Sequence, residues 1–200
     1  MNMMLRLLFS KLSLLLWLVL PLTIIGCYSR EEKEIRQLIG RKIDFNGPLL
    51  YLDSAHQCDF MPKEFQVKIM TTLDYNDCYD CSFKPLVYLQ HIIQNDKDLY
   101  NDVNVWAVVN LLDTEKAKEE LKKWNLKTVI VVDSTNYYLN KNKLGKILHR
   151  NRTFILDRND NIVFVGNPII RNQLRPQFLN ILKTLQANGG LLKEDKVPKK

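Results

Sequence analysis

The chain has 200 residues, 46% of them hydrophobic and 26% charged, and carries a formal net charge of +7. That length supports one globular domain with a sizeable core. The lysines are scattered, no zinc-finger spacing, aromatic-basic ribonucleoprotein motif or Gly-rich phosphate loop occurs, and only seven glycines are present to build such a loop, which together exclude nucleic acid as a partner.

The first 26 residues form a distinct segment. Arg6 and Lys11 precede an apolar run from Leu14 to Ile25, and no acid occurs before Glu31. A basic stretch followed by a short apolar one is the layout of a secretory signal peptide. At ~1.5 Å per residue the run is short for a hydrocarbon core of roughly 30 Å. Ile24-Ile25-Gly26-Cys27 resembles a lipobox, in which the small glycine admits a peptidase and the Cys27 thiol accepts a diacylglyceryl group. The expected organisation is a signal peptide over 1–26, a lipidated tether over 27–40, a folded domain over 41–188 and a disordered tail over 189–200. A diacylglyceryl group plus an amide-linked chain on Cys27 is more than one lipid signal, enough for stable attachment to a bilayer. The expected location is the bacterial cell envelope, on the extracytoplasmic side of the inner or outer membrane. The alternative is an uncleaved anchor with Cys27 an ordinary cysteine. Loss of Arg6 and Lys11 with the signal lowers the formal charge from +7 to +5.

Beyond Cys27, residues 28–34 (YSREEKE) read as a charged tether, whose Glu31, Glu32 and Glu34 solvate it or act as a sorting signal. EIRQLIG then predicts a short helical segment ending at Gly40, a suitable C-cap. Phe65 to Leu73 alternates as a strand, and Ser82 to Gln94 has helical spacing of its apolar residues. Val103 to Val109 predicts a buried strand. Thr114 is an N-cap candidate for a helix through Lys123 with Ala117, Leu121 and Trp124 on one side. Val129 to Val132 predicts a strand, followed by a short helical piece near Tyr137 to Leu144. Thr153 to Asp157 and Ile162 to Gly166 flank the turn Arg158-Asn159-Asp160-Asn161, a β-hairpin. A last helix spans about Gln173 to Gln186, with Pro176 in its first turn. Helices between strands imply parallel crossovers, and the hairpin adds an antiparallel pair. The predicted class is α/β, a central mixed sheet flanked by helices, closed by a C-terminal hairpin and helix.

The chemistry concentrates at Cys78-Tyr79-Asp80-Cys81, between the first core strand and its helix. A cysteine at a helix N-terminus meets unpaired N–H groups and the positive end of the dipole, and both favour the thiolate. Cys78, at the loop end, is the expected attacking thiol, and Cys81, inside the helix, the resolving one. Three readings stand: a redox couple, a static local disulfide, and a zinc or copper(I) site in which His56 and Cys58 join Cys78 and Cys81. Cys58 alone reads as an inert buried thiol or a third redox partner. Asp77 and Asp80 oppose the thiolate that the helix end favours. Arg150 and Arg152 would reverse this if their loop approaches Cys78. His149 is a candidate proton carrier. His91, Trp106 and Trp124 need no role beyond surface or packing. No Ser/His/Asp or paired-carboxylate constellation suggests hydrolysis.

Strand, CxxC, helix, alternation and terminal hairpin together resemble the thioredoxin-like fold. The extra strand-helix unit between residues 128 and 145 looks like the variant in membrane-tethered TlpA/ResA-type thioredoxins. GRKIDF, the CxxC block and TFILDRNDNIVFVGNPI look like bacterial envelope lipoproteins with such domains; the resemblance spans roughly 40–187. It implies thiol–disulfide exchange through Cys78 and Cys81 without a dissociable cofactor, with envelope protein thiols and disulfides and a membrane reductant as partners. It also marks departures. Asn151 stands where redox-active members place a cis-proline that helps hold substrate; a cis bond before a non-proline costs roughly 3 kcal/mol, so a trans loop is expected. Asp77 replaces the tryptophan usual before the first cysteine, and Pro85 lies one position early in its helix. These departures weigh against exchange with large protein substrates. They favour the rival reading, a binding or structural lipoprotein that keeps the fold without the enzyme.

Overall fold

The computed structural model describes residues 29–52, 57–58, 67–73, 79–96, 99, 103–110 and 114–192, the side chains at 57–58 and 79–82 excepted. The expectations for the signal segment, Cys27, His56, Asp77, Cys78 and residues 193–200 lie outside the described residues.

The chain divides into two units, residues 1–34 and 35–200. In the first, residues 29–34 open helix α1 (Arg30–Leu38). Ser29 Oγ accepts from the Glu32 N–H at 3.2 Å, and Glu32 Oε2 accepts from the Ser29 N–H at 2.9 Å. This capping box satisfies two N-terminal donors reciprocally, so the helix starts inside the charged stretch read as tether. In the second unit α1 ends at Leu38, and Gly40 follows at φ +80°, the left-handed conformation of a helix C-cap.

The second unit is built on one mixed sheet. Its strands are β1 (Leu50–Leu52), β2 (Gln57–Cys58), β3 (Val67–Leu73), β4 (Val103–Val109), β5 (Val129–Val132), β6 (Thr153–Leu156) and β7 (Ile162–Val165), in the spatial order β2-β1-β5-β4-β3-β6-β7. β3, β4 and β5 are parallel, joined through α2 (Tyr79–Gln94) and α3 (Thr114–Lys123). β6 returns antiparallel to β3, and β7 antiparallel to β6. At the other side β1 and β2 add an antiparallel pair that the sequence reading did not contain.

Alternation along the strands sends side chains to two opposite cores. Val67, Ile69, Val105, Ala107, Ile130 and Ile155 face one side, where Phe83, Leu86 and Leu89 of α2, Leu121 of α3, and Phe178 and Leu182 of α5 (Arg175–Ala187) cover them. Met70, Trp106, Val108, Val131 and Phe154 face the other, under Leu38, Ile43, Phe45 and Tyr138 of α4 (Tyr137–Lys141). Trp106 is core, as its sequence context suggests, with the Phe45 ring 5.4 Å away edge-on. The Tyr138 hydroxyl donates to Met70 Sδ at 2.6 Å. Burial holds that phenol in its neutral form, pushing its pKa well above the ordinary value.

The hairpin turn is fixed locally. Asp157 Oδ1 accepts from the N–H groups of Asn159 at 2.9 Å and Asn161 at 2.8 Å, while Asp160 takes φ +68°. Asp160 pairs with Lys68, a lysine almost wholly buried on β3. Gly189 to Leu192, read as the start of a disordered tail, are instead held on the domain. Gly190 N–H donates to the Leu185 carbonyl at 2.7 Å, Arg158 N–H donates to the Gly190 carbonyl at 2.8 Å, and Leu192 packs on the first core. The physical reason is a helix end whose spare carbonyls are met by a glycine turn at φ +63° and +87°.

Candidate functional site

Six residues of β3 are buried, and the strand lies between a parallel and an antiparallel neighbour, so its end is held from both sides. The chain leaves β3 at Leu73 and enters α2 at Tyr79. Cys78 is therefore the residue directly before the helix, and Cys81 is the third residue within it. Pro85 sits inside α2 and has no N–H to offer the Cys81 carbonyl four residues earlier. The Cys78 and Cys81 side chains lie outside the described residues.

Cys58 is on β2, paired with Tyr51 at the far side of the sheet. Four strand spacings separate β2 from β3, roughly 19 Å at ~4.8 Å each. A tetrahedral ion needs all its ligand atoms within about 2.3 Å. The His56, Cys58, Cys78 and Cys81 side chains of the joint metal reading lie outside the described residues.

The loop carrying His149, Arg150 and Asn151 reaches the end of β3. These three form a single 3-10 turn ahead of β6, with Asn151 fully buried and His149 and Arg150 exposed. Arg152 gives its carbonyl to the Thr72 N–H at 3.0 Å, and the hydroxyls of Thr71 and Thr153 meet at 3.1 Å beneath. Among the described residues no peptide bond is cis, so the bond before Asn151 is trans, as the missing proline implies. The loop adjoins the residue from which the chain departs toward Cys78.

A residue absent from the sequence reading fixes this loop. Arg171 Nη2 donates to Asn151 Oδ1 at 2.9 Å. Arg171 belongs to the turn after β7, where Asn167 Oδ1 accepts from the N–H groups of Ile169 at 2.8 Å and Ile170 at 3.2 Å, and the Arg171 N–H donates to the Asn167 carbonyl at 3.0 Å. The guanidinium lies over Gly166, at φ +141°, where an added Cβ would stand 2.9 Å from Nη2 and 2.7 Å from Leu174 Cδ1. The backbone at φ +141° favours glycine here whatever the space around it. Twenty residues separate Asn151 from Arg171 and no local period links them, so only the Gly-Asn-Pro sequence after β7 hinted at a special turn.

On the surface, the Lys141 ammonium donates to Asp44 at 2.8 Å, holding that carboxyl below its ordinary value, and the carboxylate raises Lys141 in return. Among the described residues no helix is long and apolar enough to cross a membrane, and no group of three or more His, Cys, Asp or Glu side chains could hold a metal.

No family model matches the chain, and no curated protein does. Solved structures do. A mutant of PrxQ from Xylella fastidiosa superposes with a TM-score of 0.55 at 14% identity, covering 74% of this chain and 96% of its own. A protein from Aquifex aeolicus, provisionally assigned to electron transport, gives 0.52 at 17% identity over 74% and 99%. AhpC from Enterococcus faecalis gives 0.50 at 14% over 72% and 95%. The fold is thioredoxin-like, an α/β domain with a mixed sheet and flanking helices.

Proposed function

We propose that this protein is a lipid-anchored thiol–disulfide exchange protein of the bacterial envelope, acting through Cys78 and Cys81. The observation that supports this reading is the sequence position of the CxxC motif where the chain passes from the buried strand β3 to α2, within a thioredoxin-like fold. The helix start supplies N–H groups and a positive dipole end for a thiolate. The Cys78 thiolate attacks one sulfur of a substrate disulfide and forms a mixed disulfide, expelling the other sulfur as a thiolate that takes up a proton. Cys81 then attacks Cys78, closes the Cys78–Cys81 disulfide and releases the second substrate thiol. Two electrons pass from the dithiol to the substrate. A membrane reductant restores the dithiol, and Cys27 keeps the domain at the bilayer.

Cys81→Ser blocks the second step, so this variant should accumulate mixed disulfides in cells, visible on non-reducing gels and identifiable by mass. Equal adduct levels in Cys78→Ser/Cys81→Ser would defeat the proposal. The rival, a binding lipoprotein without exchange, draws on one feature, the Asn151 loop closed by Arg171. It requires both cysteine variants to leave the cellular adduct pattern unchanged.

A further inference from the structure

Two segments of the second unit, residues 41–46 and 137–146, meet and bring five cations together. Asn142 ties them: its Nδ2 donates to the Asp44 carbonyl at 2.9 Å, its Oδ1 accepts from the Asp44 N–H at 2.8 Å, and its own carbonyl accepts from the Arg41 guanidinium. Lys141 adds a bond to the Asn46 carbonyl at 2.7 Å and its ion pair with Asp44. Arg41, Lys42, Lys141, Lys143 and Lys146 stand against one acid, Asp44, so the two segments hold a net +4. The formal charge left once Arg6 and Lys11 are removed is +5, so nearly all of the excess sits here.

Asp44 is taken by Lys141, while Lys42, Lys143 and Lys146 are exposed and no acid pairs with them among the described residues. Tyr137 is 40% exposed in the same patch, with the Lys141 ammonium 5.6 Å from its ring centre. Separate lysines around an exposed phenol offer point charges and an amphipathic ring, not a planar fork fitted to one carboxylate. That set suits a broad anionic surface with an apolar layer beneath it. Polybasic segments next to a bilayer are drawn to anionic headgroups, and tyrosine settles at headgroup level. Chain length agrees: the stretch from Cys27 to Arg41 includes the nine residues of α1, so it spans at most roughly 30 Å.

We infer that, on the lipid-anchored reading above, this patch lies against anionic phospholipid headgroups and sets how the domain is oriented on the bilayer. Cys27 retains the protein at the membrane, and Lys42, Lys143, Lys146 and Tyr137 select the face that meets it. Exposed charges act over a Debye length of about 10 Å in 0.1 M salt, so the patch works by contact.

The test uses the full-length protein reconstituted into vesicles of phosphatidylcholine, or of equal parts phosphatidylcholine and phosphatidylglycerol. Flotation with phosphatidylcholine vesicles reads the anchor alone, because that surface has no net charge for the patch to meet. Amine labelling read by mass spectrometry then follows Lys42, Lys143 and Lys146, with the exposed Lys122 of α3 as reference. In the mixed vesicles the three should label about 5-fold more slowly relative to Lys122 than in phosphatidylcholine, and about 1 M salt should remove the difference. Lys143→Asn, which suits φ +51°, combined with Lys146→Gln should return Lys42 to its ratio in phosphatidylcholine. Equal ratios in the two kinds of vesicle overturn the inference and leave the anchor standing. Protection in membranes isolated from cells but in neither vesicle assigns the patch to an acidic protein and overturns it too. Failure to float with phosphatidylcholine defeats the anchored reading; binding to the mixed vesicles with the three lysines protected then still upholds the patch, and binding to neither overturns both.

Discussion

Removing the Arg171 guanidinium tests whether the loop is held as described. Arg171→Met keeps most of the apolar stem while deleting the donor that reaches Asn151 Oδ1 at 2.9 Å. The acceptor belongs to a fully buried residue, and the donor is charged. A hydrogen bond to a charged group contributes about 1.5–3 kcal/mol, and that is the expected loss. For a domain of this size each kcal/mol shifts the melting temperature by about 2–4 °C, so a fall of roughly 3–12 °C should follow. Urea unfolding should show a lower midpoint at unchanged slope, since the surface exposed on unfolding is the same. Asn151→Leu made alone and with Arg171→Met completes a cycle, and coupling of at least about 0.5 kcal/mol is required for two groups in contact. A loss under about 0.5 kcal/mol, or strict additivity, would refute the claim that this pair fixes the loop.

Other outcomes follow from named contacts. Gly166→Ala should destabilise by about 1–3 kcal/mol, because the backbone sits at φ +141°, where strain of that size is typical for a residue with a side chain; an unchanged melting temperature would refute that strain. In the Lys68–Asp160 pair the lysine side chain is 4% exposed and the aspartate 24%. Asp160→Asn should therefore destabilise by about 3 kcal/mol or more, and more than Lys68→Met, since the first strands a buried cation and the second leaves a partly solvated carboxylate; denaturant midpoints give the order. Because the Tyr138 phenol is raised by burial, its stabilisation is complete below the ordinary phenol pKa near 10 and is lost as pH climbs through the raised value. Alkaline unfolding should thus be delayed in Tyr138→Phe, and an unchanged alkaline midpoint would dismiss Tyr138 as the cause. For Asp44 the sign reverses: its carboxyl is lowered by Lys141, so their mutual support holds at neutral pH and fades as pH falls through the lowered value. Carboxyl titration by NMR should move up toward the ordinary range in Lys141→Met.

What could be read from the residues depended on length and period. β3, β4, β5, the hairpin and α5 carry apolar runs or strong turn residues, and they fall within a few residues of their expected bounds. β1 and β2 span three and two residues, too short for an alternation to register, and β1 gains its place by pairing with β5 some eighty residues later. The start of α1 was hidden by charge, although Ser29-x-x-Glu32 is itself a capping signal. Gly189 and Gly190 suggested a loose end, and the bonds of the Gly190 carbonyl to Arg158 and of its N–H to Leu185 cannot be seen in composition. At the candidate site the strand β3 and the helix that contains Cys81 were legible, and so was the missing proline at Asn151. Arg171 was not, because its tie to Asn151 exists only once β6 and β7 are paired.

The most direct test of exchange is the reduction potential of the Cys78–Cys81 pair in the full-length protein, by thiol trapping across glutathione and dithiothreitol buffers. On the exchange reading, Asp77 and Asp80, neighbours of the cysteines in the sequence, favour a thioredoxin-like poise, so a reversible two-electron couple nearer about −270 than −120 mV is expected. A pair that stays oxidised well below about −300 mV, or that never forms a disulfide, would contradict exchange and leave a binding role without exchange as the better description.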